Sequence, residues 1–278
     1  MPVLTAGLDS VGAGLFRSCW KRGDGSMPHK WCRGARYRRN GTWMLQNGTA
    51  RKGRVTLTMT EFREFQQTSA ESVTVRGFLH TAPNSGADAL VLSHGAGSSC
   101  RSPLLVALAD AFSASGMTVL RCDLPFRQSR PIGPPPRGSA ERDQQGLRAA
   151  VACMRRLTSG RVFLGGHSYG GRQSSMLAAS EPDLVERLLL FSYPLHPPRR
   201  PDELRTAHFP HLKTPAFFVH GARDGFGTLA EMEEALKLIP AQSELLSIPG
   251  AGHELLTKRN REEILRLCVE RFRSFADR

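Results

Sequence analysis

The sequence has no long hydrophobic run and no leader-like N-terminus. Because no run of about 18 uncharged apolar residues occurs in its 278 residues, a transmembrane helix is excluded. Residues 1–16 contain no Lys or Arg ahead of their weak apolar stretch, which is atypical of a secretory signal. Hydrophobic residues make up 40% and charged residues 23% of the chain, which excludes fibrous and wholly disordered proteins. We expect a globular, cytoplasmic protein with no membrane partner.

Acidic residues are scarce in residues 1–58, which hold no Glu and only two Asp. With three Lys and eight Arg, this segment carries +9 of the formal net charge of +13. Three interpretations are open: a nucleic-acid-binding arm, suggested by the basic cluster at 36–39; an organelle transit peptide; or an upstream extension of a shorter protein that starts at Met59. We favour the extension over a nucleic-acid partner, because no helix or strand period is sustained before Met59. We therefore predict a disordered basic extension at 1–58 and one domain at 59–278.

Cysteine is present, but its spacing marks neither a metal site nor a disulfide framework. None of the six cysteines belongs to a Cys-x-x-Cys pair. In a long chain without a secretory signal, such residues are typically reduced thiols of the core. They are Cys19, Cys32, Cys100, Cys122, Cys153 and Cys268.

From residue 73 onward, short apolar runs alternate with amphipathic stretches. The apolar runs predict strands at 73–79, 89–93, 117–122, 161–165, 185–193, 216–220 and 244–248. The amphipathic stretches predict helices from Ser102-Pro103 to Gly116 and over 141–158, 170–180 and 261–276. This alternation is typical of an α/β fold with a mainly parallel central sheet and helices on both faces.

The segment Gly-Gly-His-Ser-Tyr-Gly-Gly at 165–171 falls between a predicted strand and a predicted helix. It contains Gly-x-Ser-x-Gly, in which small residues let neighbouring elements approach a sharp turn. Such a turn raises the Ser168 hydroxyl above the sheet and aims the Tyr169 N–H at a developing oxyanion. We predict Ser168 as the nucleophile and Tyr169 as one oxyanion donor. His167 is expected to pack and orient the turn rather than to transfer protons.

Two further residues complete the order Ser, acid, His along the chain. The strand at 216–220 leads into Asp224, and the strand at 244–248 leads into His253. Since the carboxyl ends of parallel strands meet at one edge of the sheet, both side chains should reach Ser168. We predict His253 as the general base and Asp224 as the carboxylate that orients it. Asp123 also follows a strand and is the second choice of acid.

A second oxyanion donor is expected in the glycine-rich segment His-Gly-Ala-Gly-Ser at 94–98, which follows the strand at 89–93. Backbone amides of such a loop can point into the site, and we choose Ala96 ahead of Gly97. The alternative is an ordinary tight turn between a strand and a helix.

Together these segments, with Gly-Ala-Arg-Asp-Gly-Phe-Gly-Thr at 221–228, resemble the α/β-hydrolase superfamily, near its dienelactone-hydrolase-like branch. Residues 123–126 and 193–201 resemble a small group related to the hydrolase-like domain of non-specific-lethal complex subunit 3, which belongs to a chromatin complex. The resemblance covers about residues 70–278. It implies a Ser-His-Asp hydrolase without a cofactor, and the chromatin relative implies that some members serve as interaction modules.

The predicted architecture bears on the substrate. About twenty residues separate the strands at 185–193 and 216–220, too few for a large helical cap, so little or no cap domain is expected. An open site suits small or flexible acyl substrates. His208 and His211 lack a matched cysteine or carboxylate at zinc-site spacing, so no metal is predicted.

Two loops at the carboxyl ends of predicted strands are rich in arginine. Some of these cations are candidates for binding a carboxylate or phosphate on the substrate, and ordinary solvated arginine is the equal alternative. The arginines are Arg127, Arg130, Arg137, Arg199, Arg200 and Arg205.

The sequence leaves two functional hypotheses. The first is a serine hydrolase that cleaves a small carboxylic ester, thioester or lactone through an acyl-enzyme, with a small-molecule acyl substrate as its partner. The second is a catalytically silent interaction protein that binds nucleic acid through residues 1–58. The presence of Ser168, Asp224 and His253 in one chain favours the first.

Overall fold

The computed structural model describes residues 61–69, 72–82 and 88–278, and the backbone of two strands nearer the N-terminus. The chain divides into two units, Met1–Thr58 and Met59–Arg278. In the first unit, β1 (Ala35–Arg38) pairs antiparallel with β2 (Thr42–Leu45), a hairpin that the sequence analysis does not predict. The predicted disorder of the remainder of 1–58, the start at Met59, and the cysteines at 19 and 32 fall outside the described residues.

The second unit alternates strands and helices. Its strands are β3 (Phe62–Thr68), β4 (Thr74–His80), β5 (Ala89–Ser93), β6 (Thr118–Asp123), β7 (Val162–His167), β8 (Leu188–Phe191), β9 (Ala216–Gly221) and β10 (Ser243–Ile248). Its helices are α1 (Pro103–Ala114), α2 (Pro125–Ser129), α3 (Ala140–Leu157), α4 (Tyr169–Ser180), α5 (Leu229–Leu236) and α6 (Arg261–Ala276). A 3-10 turn, Phe209–His211, precedes β9.

The strands of the second unit form one eight-stranded sheet in the order β10-β9-β8-β7-β5-β6-β4-β3. Neighbours from β10 to β6 are parallel, whereas β4 runs antiparallel to both β6 and β3. The mainly parallel α/β fold is therefore confirmed. The edge strand β3 escapes prediction because Phe65 alone among its seven residues is buried, so no apolar alternation marks it.

Two apolar clusters cover the two faces of the sheet. Helices α1 and α6 pack on one face, where Phe112, Phe272 and Phe275 are fully buried. Helices α3, α4 and α5 pack on the other, through residues such as Met154 and Leu177. Neither face of a strand that is covered on both sides meets solvent. For this reason every position of β5 is buried, and its sequence is apolar up to Ser93.

Helix boundaries follow capping residues. At α1 the Ser102 hydroxyl accepts a hydrogen bond from the Leu105 N–H at 3.3 Å, and Gly116 beyond the helix has a φ of +98°, in agreement with the prediction. Helix α5 is not predicted, although Thr228 and Glu231 form a capping box at its start. The Thr-x-x-Glu spacing is the signal that could have located it.

The segment between β8 and β9, residues 192–215, contains only the 3-10 turn. The expected lack of a large helical cap is therefore confirmed for this segment.

The predictions about a transmembrane helix and about the cysteines can be compared with the described residues. Within them, no helix combines the length and apolarity that crossing a bilayer requires. The four described cysteines, at positions 100, 122, 153 and 268, are free and buried, as expected for core thiols.

Candidate active site

Ser168 occupies a strained turn between β7 and α4. Its backbone has φ 53° and ψ −116°, a conformation that side-chain-bearing residues adopt at a cost of about 1–3 kcal/mol. The Ser168 N–H donates to the Phe191 carbonyl at 2.8 Å, which ties the turn to the end of β8. This geometry presents the hydroxyl at the carboxyl edge of the sheet, as the Gly-x-Ser-x-Gly pattern predicts.

Close backbone packing explains the two glycines of the pattern. A Cβ on Gly170 would lie 2.5 Å from Ser93 Oγ and 2.7 Å from the His94 carbonyl oxygen. A Cβ on Gly166 would lie 2.8 Å from the Ser93 carbonyl oxygen. The end of β5 therefore passes so near the turn that only glycine fits at either position.

The structure brings Ser168, His253 and Asp224 together. His253 Nε2 lies 2.9 Å from Ser168 Oγ, and His253 Nδ1 lies 2.8 Å and 3.0 Å from the two carboxylate oxygens of Asp224. Because an ionised carboxylate only accepts, Nδ1 carries the proton and Nε2 is free to accept the Ser168 hydroxyl hydrogen. The Asp224 side chain is 0% exposed and that of His253 is 21% exposed, so water reaches the imidazole but not the carboxylate.

Asp224 is kept ionised by its hydrogen bonds. Burial alone raises its pKa, but the hydrogen bond and charge of His253 and the Phe226 N–H, which donates at 2.9 Å, outweigh burial and lower the pKa below the ordinary value. A buried carboxylate that stays charged is suited to orient an imidazole and to stabilise its cationic form.

Three neighbours hold His253 in place. The Ser192 hydroxyl donates to the His253 carbonyl at 2.7 Å, and His167 Nε2 donates to the same oxygen at 3.0 Å. The Phe226 ring packs on the imidazole with centroids 4.3 Å apart. His167 thus has the packing and orienting place expected of it, and burial lowers its pKa, which keeps it neutral. Neither Ser192 nor Phe226 is predicted, although Phe226 stands in the segment at 221–228 that contains Asp224.

Asp123, the second choice of acid, lies elsewhere. It ends β6 and accepts a hydrogen bond from the Cys100 N–H at 2.7 Å, and it stands 3.7 Å from His94 Nε2. Its contacts fasten the start of α1 to the sheet rather than orient His253.

The glycine-rich loop after β5 runs beside the nucleophile. A Cβ on Gly95 would lie 3.5 Å from the Ser168 Cβ, and the Gly170 N–H donates to the His94 carbonyl at 3.1 Å. The Gly95 carbonyl accepts from His94 Nδ1 at 2.8 Å and from the Ser98 N–H at 3.0 Å. Since C=O and N–H point in opposite directions across a trans peptide, fixing the Gly95 carbonyl also fixes the direction of the Ala96 N–H.

Arg127 fastens this loop from behind. It is 5% exposed, and its guanidinium donates to the carbonyls of Ala96 at 2.8 Å and Ser98 at 2.7 Å. It also donates to the carbonyls of Arg130 at 2.9 Å and Gly133 at 2.8 Å. Arg127 is among the candidate substrate cations named from the sequence, but backbone carbonyls of two loops use its donors instead.

The remaining candidate cations differ in their surroundings. Arg200 pairs with Glu203 at 2.8 Å, while Arg130, Arg137 and Arg199 are exposed and Arg205 is half-buried. His208 Nε2 lies 2.8 Å from Ser175 Oγ rather than near a second ligand. No group of three or more His, Cys, Asp or Glu side chains that could hold a metal occurs among the residues with described positions.

Comparison with known families identifies the family to which the chain belongs. The alpha/beta hydrolase domain model matches residues 86–275, more than half of the sequence, and the chain belongs to this family. This membership confirms the resemblance to the α/β-hydrolase superfamily and supports hydrolase activity in general. The relation to the chromatin-complex subunit stays a prediction.

Solved structures share the fold. Dienelactone hydrolase from Anabaena variabilis is 22% identical, over 77% of this chain and 97% of its own, with a TM-score of 0.62. Est1E from Butyrivibrio proteoclasticus is 15% identical, over 77% of this chain and 99% of its own, with a TM-score of 0.62. An alpha-beta serine hydrolase homologue from Coxiella burnetii is 17% identical, over 77% of this chain and 98% of its own, with a TM-score of 0.62. At these identities the three structures show the shared fold, and the likeness to the dienelactone-hydrolase-like branch goes no further than that fold.

Proposed function

We propose that the protein is a serine hydrolase that cleaves a small carboxylic ester, thioester or lactone through an acyl-enzyme. The observation that carries the proposal is the continuous contact from Ser168 through His253 to the buried Asp224, at hydrogen-bond distances throughout. The strained backbone at Ser168 supports it further, because strain of this kind typically serves a reactive position.

In the proposed first step, Ser168 Oγ attacks the carbonyl carbon of the substrate while His253 Nε2 takes the hydroxyl proton. Asp224 stabilises the resulting imidazolium. The negative charge moves to the former carbonyl oxygen, and the N–H groups of Tyr169 and Ala96 are the proposed donors to it. Tyr169 begins α4, so its N–H has no partner within the helix and the helix dipole adds to the stabilisation.

In the second step the imidazolium returns its proton to the leaving group, and the bond between the carbonyl carbon and the leaving atom breaks. A water molecule, deprotonated by His253, then attacks the acyl carbon, and the bond between that carbon and Ser168 Oγ breaks. His253 returns the proton to Ser168 Oγ, and the carboxylic acid product leaves. The side chain of His253 is partly exposed, which supports access of that water. No cofactor is needed for either step.

A fluorophosphonate probe tests the proposal, because it modifies only an activated serine. We expect the full-length protein to be labelled and Ser168→Ala to remain unlabelled, with the label found by mass spectrometry on the peptide that contains Ser168. Asp224→Asn keeps the shape of the carboxylate but removes its charge, and we expect labelling to slow by at least about a hundredfold. Failure of the correctly folded wild type to react would overturn the proposal and leave the silent interaction protein as the better hypothesis.

A panel of short-chain esters, thioesters and lactones then identifies the acyl and leaving groups. The expected result is turnover of at least one class, with the same dependence on Ser168 that the probe shows.

A further inference from the structure

Asp143, in the first turn of α3, is a buried carboxylate that the proposed reaction does not use. It is 0% exposed, and a carboxylate hidden from water needs hydrogen-bond donors from the protein. The Tyr169 hydroxyl donates to its Oδ2 at 2.7 Å, and the Ser139 hydroxyl donates to the same oxygen at 3.2 Å. The Phe126 N–H donates to Oδ1 at 2.9 Å. The Asp143 side chain therefore links the starts of α2 and α4 to α3.

Tyr169 is anchored through its side chain. Its N–H is one of the two proposed oxyanion donors, and its hydroxyl, at the far end of the ring, donates to Asp143. The ring packs edge-to-face on the Phe126 ring, with centroids 5.6 Å apart. Burial raises the pKa of the Tyr169 hydroxyl and Asp143 adds to that rise, while Ser139 opposes it, so the hydroxyl keeps its proton and remains a donor. The ring cannot turn without breaking a charge-assisted hydrogen bond.

The strained backbone of Ser168 gives this anchor a role. Rotation of the peptide between Ser168 and Tyr169 would move the ψ of Ser168 away from its strained value of −116°. The same rotation would turn the Tyr169 N–H away from the oxyanion, because that N–H belongs to this peptide. The Ser168 N–H, which donates to the Phe191 carbonyl at 2.8 Å, holds the chain before the peptide. The hydrogen bond from Tyr169 to Asp143 holds the chain after it, and so keeps the donor aimed.

The same carboxylate also acts on the second proposed donor. By accepting from the Phe126 N–H, Asp143 fixes the first turn of α2. That turn carries Arg127, which donates to the Ala96 carbonyl at 2.8 Å, and the Phe126 ring lies 5.6 Å from the His94 ring. Both contacts hold the glycine-rich loop that carries the Ala96 N–H. One buried side chain is therefore connected to both proposed oxyanion donors.

We propose that Asp143 is a positioning residue for the oxyanion that forms when Ser168 attacks. It aims the Tyr169 N–H directly, through the Tyr169 hydroxyl, and the Ala96 N–H indirectly, through α2. The inference rests on the proposed function and adds a residue to its transition-state stabilisation. The transferred proton is carried by His253 and not by Asp143. Replacement of Asp143 should therefore lower the rate at every pH without moving the apparent pKa in the pH profile of kcat/KM.

Two conservative variants weaken the contact between Tyr169 and Asp143. Tyr169→Phe removes only the hydroxyl, and Asp143→Asn keeps the shape of the carboxylate but removes its charge. We expect each to slow the fluorophosphonate reaction, and to lower kcat for 4-nitrophenyl acetate, by about tenfold, because complete loss of one oxyanion donor costs about a hundredfold or more. KM should stay within about twofold, because the oxyanion exists only in the transition state. Rates are compared at a temperature at which circular dichroism shows every variant to be folded.

Tyr193→Phe is the matched control. It removes the hydroxyl of another buried tyrosine, 1% exposed, which donates to the Arg205 carbonyl at 2.7 Å. The chemical change is the same as in Tyr169→Phe, but the lost hydrogen bond lies in the segment after β8 rather than at a proposed oxyanion donor. We expect the fluorophosphonate rate of this variant to stay within about twofold of the wild type, a difference below 1 kcal/mol.

The double variant tests whether Tyr169 and Asp143 act through one hydrogen bond. Tyr169→Phe combined with Asp143→Asn should lose about as much rate as either change alone, about tenfold, because the second change finds the bond already broken. Independent losses would instead multiply to about a hundredfold.

Nuclear magnetic resonance reports on the Tyr169 N–H itself. The chain has three tyrosines, so ¹⁵N-tyrosine labelling of the full-length protein gives three backbone amide signals, of which Tyr169→Phe removes the one that belongs to Tyr169. Reaction with the fluorophosphonate places a phosphoryl oxygen at the oxyanion position. We expect the Tyr169 signal to move downfield on this reaction in the wild type, and to move less in Asp143→Asn.

The outcomes separate this inference from the proposed hydrolase. A wild type that does not react with the probe would overturn both. A reactive wild type whose rate and Tyr169 amide shift are matched by Asp143→Asn would overturn the positioning role alone and retain the hydrolase. Multiplied losses in the double variant, or an equal loss in Tyr193→Phe, would also overturn that role, because general damage to the fold would then explain the lower rates.

Discussion

Two histidine–aspartate pairs among the described residues differ in what lies beyond the histidine. His253 faces Asp224 at 2.8 Å, and its other nitrogen lies 2.9 Å from the Ser168 hydroxyl. His80 has its Nδ1 3.2 Å from Asp110, and its Nε2 accepts a hydrogen bond from Arg121 at 2.8 Å. The first imidazole can therefore take a proton from a reactive group, whereas the second already accepts from a permanent cation.

Topology separates the two pairs. Because β4 runs antiparallel to β6, its carboxyl end, and with it His80, lies at the edge of the sheet opposite to Ser168. His80 is 0% exposed, and its pKa is lowered to about 4 by burial and by the charge of Arg121, which Asp110 offsets only in part. A histidine beside an aspartate thus becomes a candidate base only where its second nitrogen meets a hydroxyl that substrate can approach.

The sharpest test of this comparison replaces each histidine by glutamine. We expect His253→Gln to lower kcat by at least about a thousandfold, because the proposed base is lost. His80→Gln should leave the kcat of the folded protein unchanged and lower the free energy of unfolding by about 1–3 kcal/mol, because a buried polar contact is disturbed. Ester hydrolysis and urea unfolding of both variants measure this. Equal losses of kcat would erase the distinction between the pairs.

The same comparison applies to two buried arginines, Arg127 beside the glycine-rich loop and Arg121 beside His80. Arg127→Met should lower kcat by about tenfold to a hundredfold with a smaller change in KM, because the loop that carries the proposed Ala96 donor loses its fastening. Arg121→Met should lower stability instead, since it leaves His80 Nε2 and the Cys100 carbonyl, now held at 2.8 Å and 2.7 Å, without a donor.

Arg130→Met provides a control for charge near Arg127, because Arg130 is exposed and three residues away. Steady-state kinetics on one neutral ester compares all three variants. A kcat of Arg127→Met that matches the control would show that this guanidinium only stabilises the fold.

Glycines distinguish tight from open positions at the catalytic edge. Gly170→Ala should lower the free energy of unfolding by about 2 kcal/mol, since the added Cβ would meet Ser93 and His94 at or below 2.7 Å. Gly97→Ala should change it by less than about 0.5 kcal/mol, because a Cβ there meets nothing within 4 Å. Thermal unfolding of the two variants would contradict this view if Gly97→Ala proved the more destabilising.

The most gradual expected effect concerns pH and the second pair. The unfolded chain takes up a proton on His80 near pH 6.5, while the folded chain resists protonation down to about pH 4. Stability is therefore lost as pH falls through this window, with a slope from this one group of at most about 1.4 kcal/mol per pH unit. His208 has a pKa of about 4 for the same main reason, burial, and adds a similar slope. Urea titrations at pH 7, 6, 5 and 4 should show a shallower decline for His80→Gln; an identical decline would refute the assignment.

Much of the fold can be predicted from the sequence wherever one physical signal dominates. Strand β5 is predicted at its observed bounds because it is buried on both faces, and α1 because Ser102 and Gly116 mark its ends. Strand β3 and the short α2 are missed, since one is an exposed edge and the other spans a single turn after Pro125. Contacts with the rest of the fold, rather than a local sequence pattern, determine both of these elements.

The site is predictable to the extent that order along the chain implies position in space. Ser168, Asp224 and His253 follow the parallel strands β7, β9 and β10, so topology alone suggests that they meet. Ser192, Phe226 and Arg127 act through backbone carbonyls and ring packing, which leave no mark in spacing or composition. Their roles can be recognised only from the three-dimensional arrangement of the loops.

The connection between β8 and β9, which lacks a helical cap, has a kinetic consequence. Because residues 192–215 provide no helical lid, we expect the proposed hydrolase to show no interfacial activation by aggregated lipid. Turnover would then be limited by acylation, deacylation or product dissociation rather than by a gating motion. Such an enzyme would process dissolved metabolites at a rate that rises smoothly to saturation.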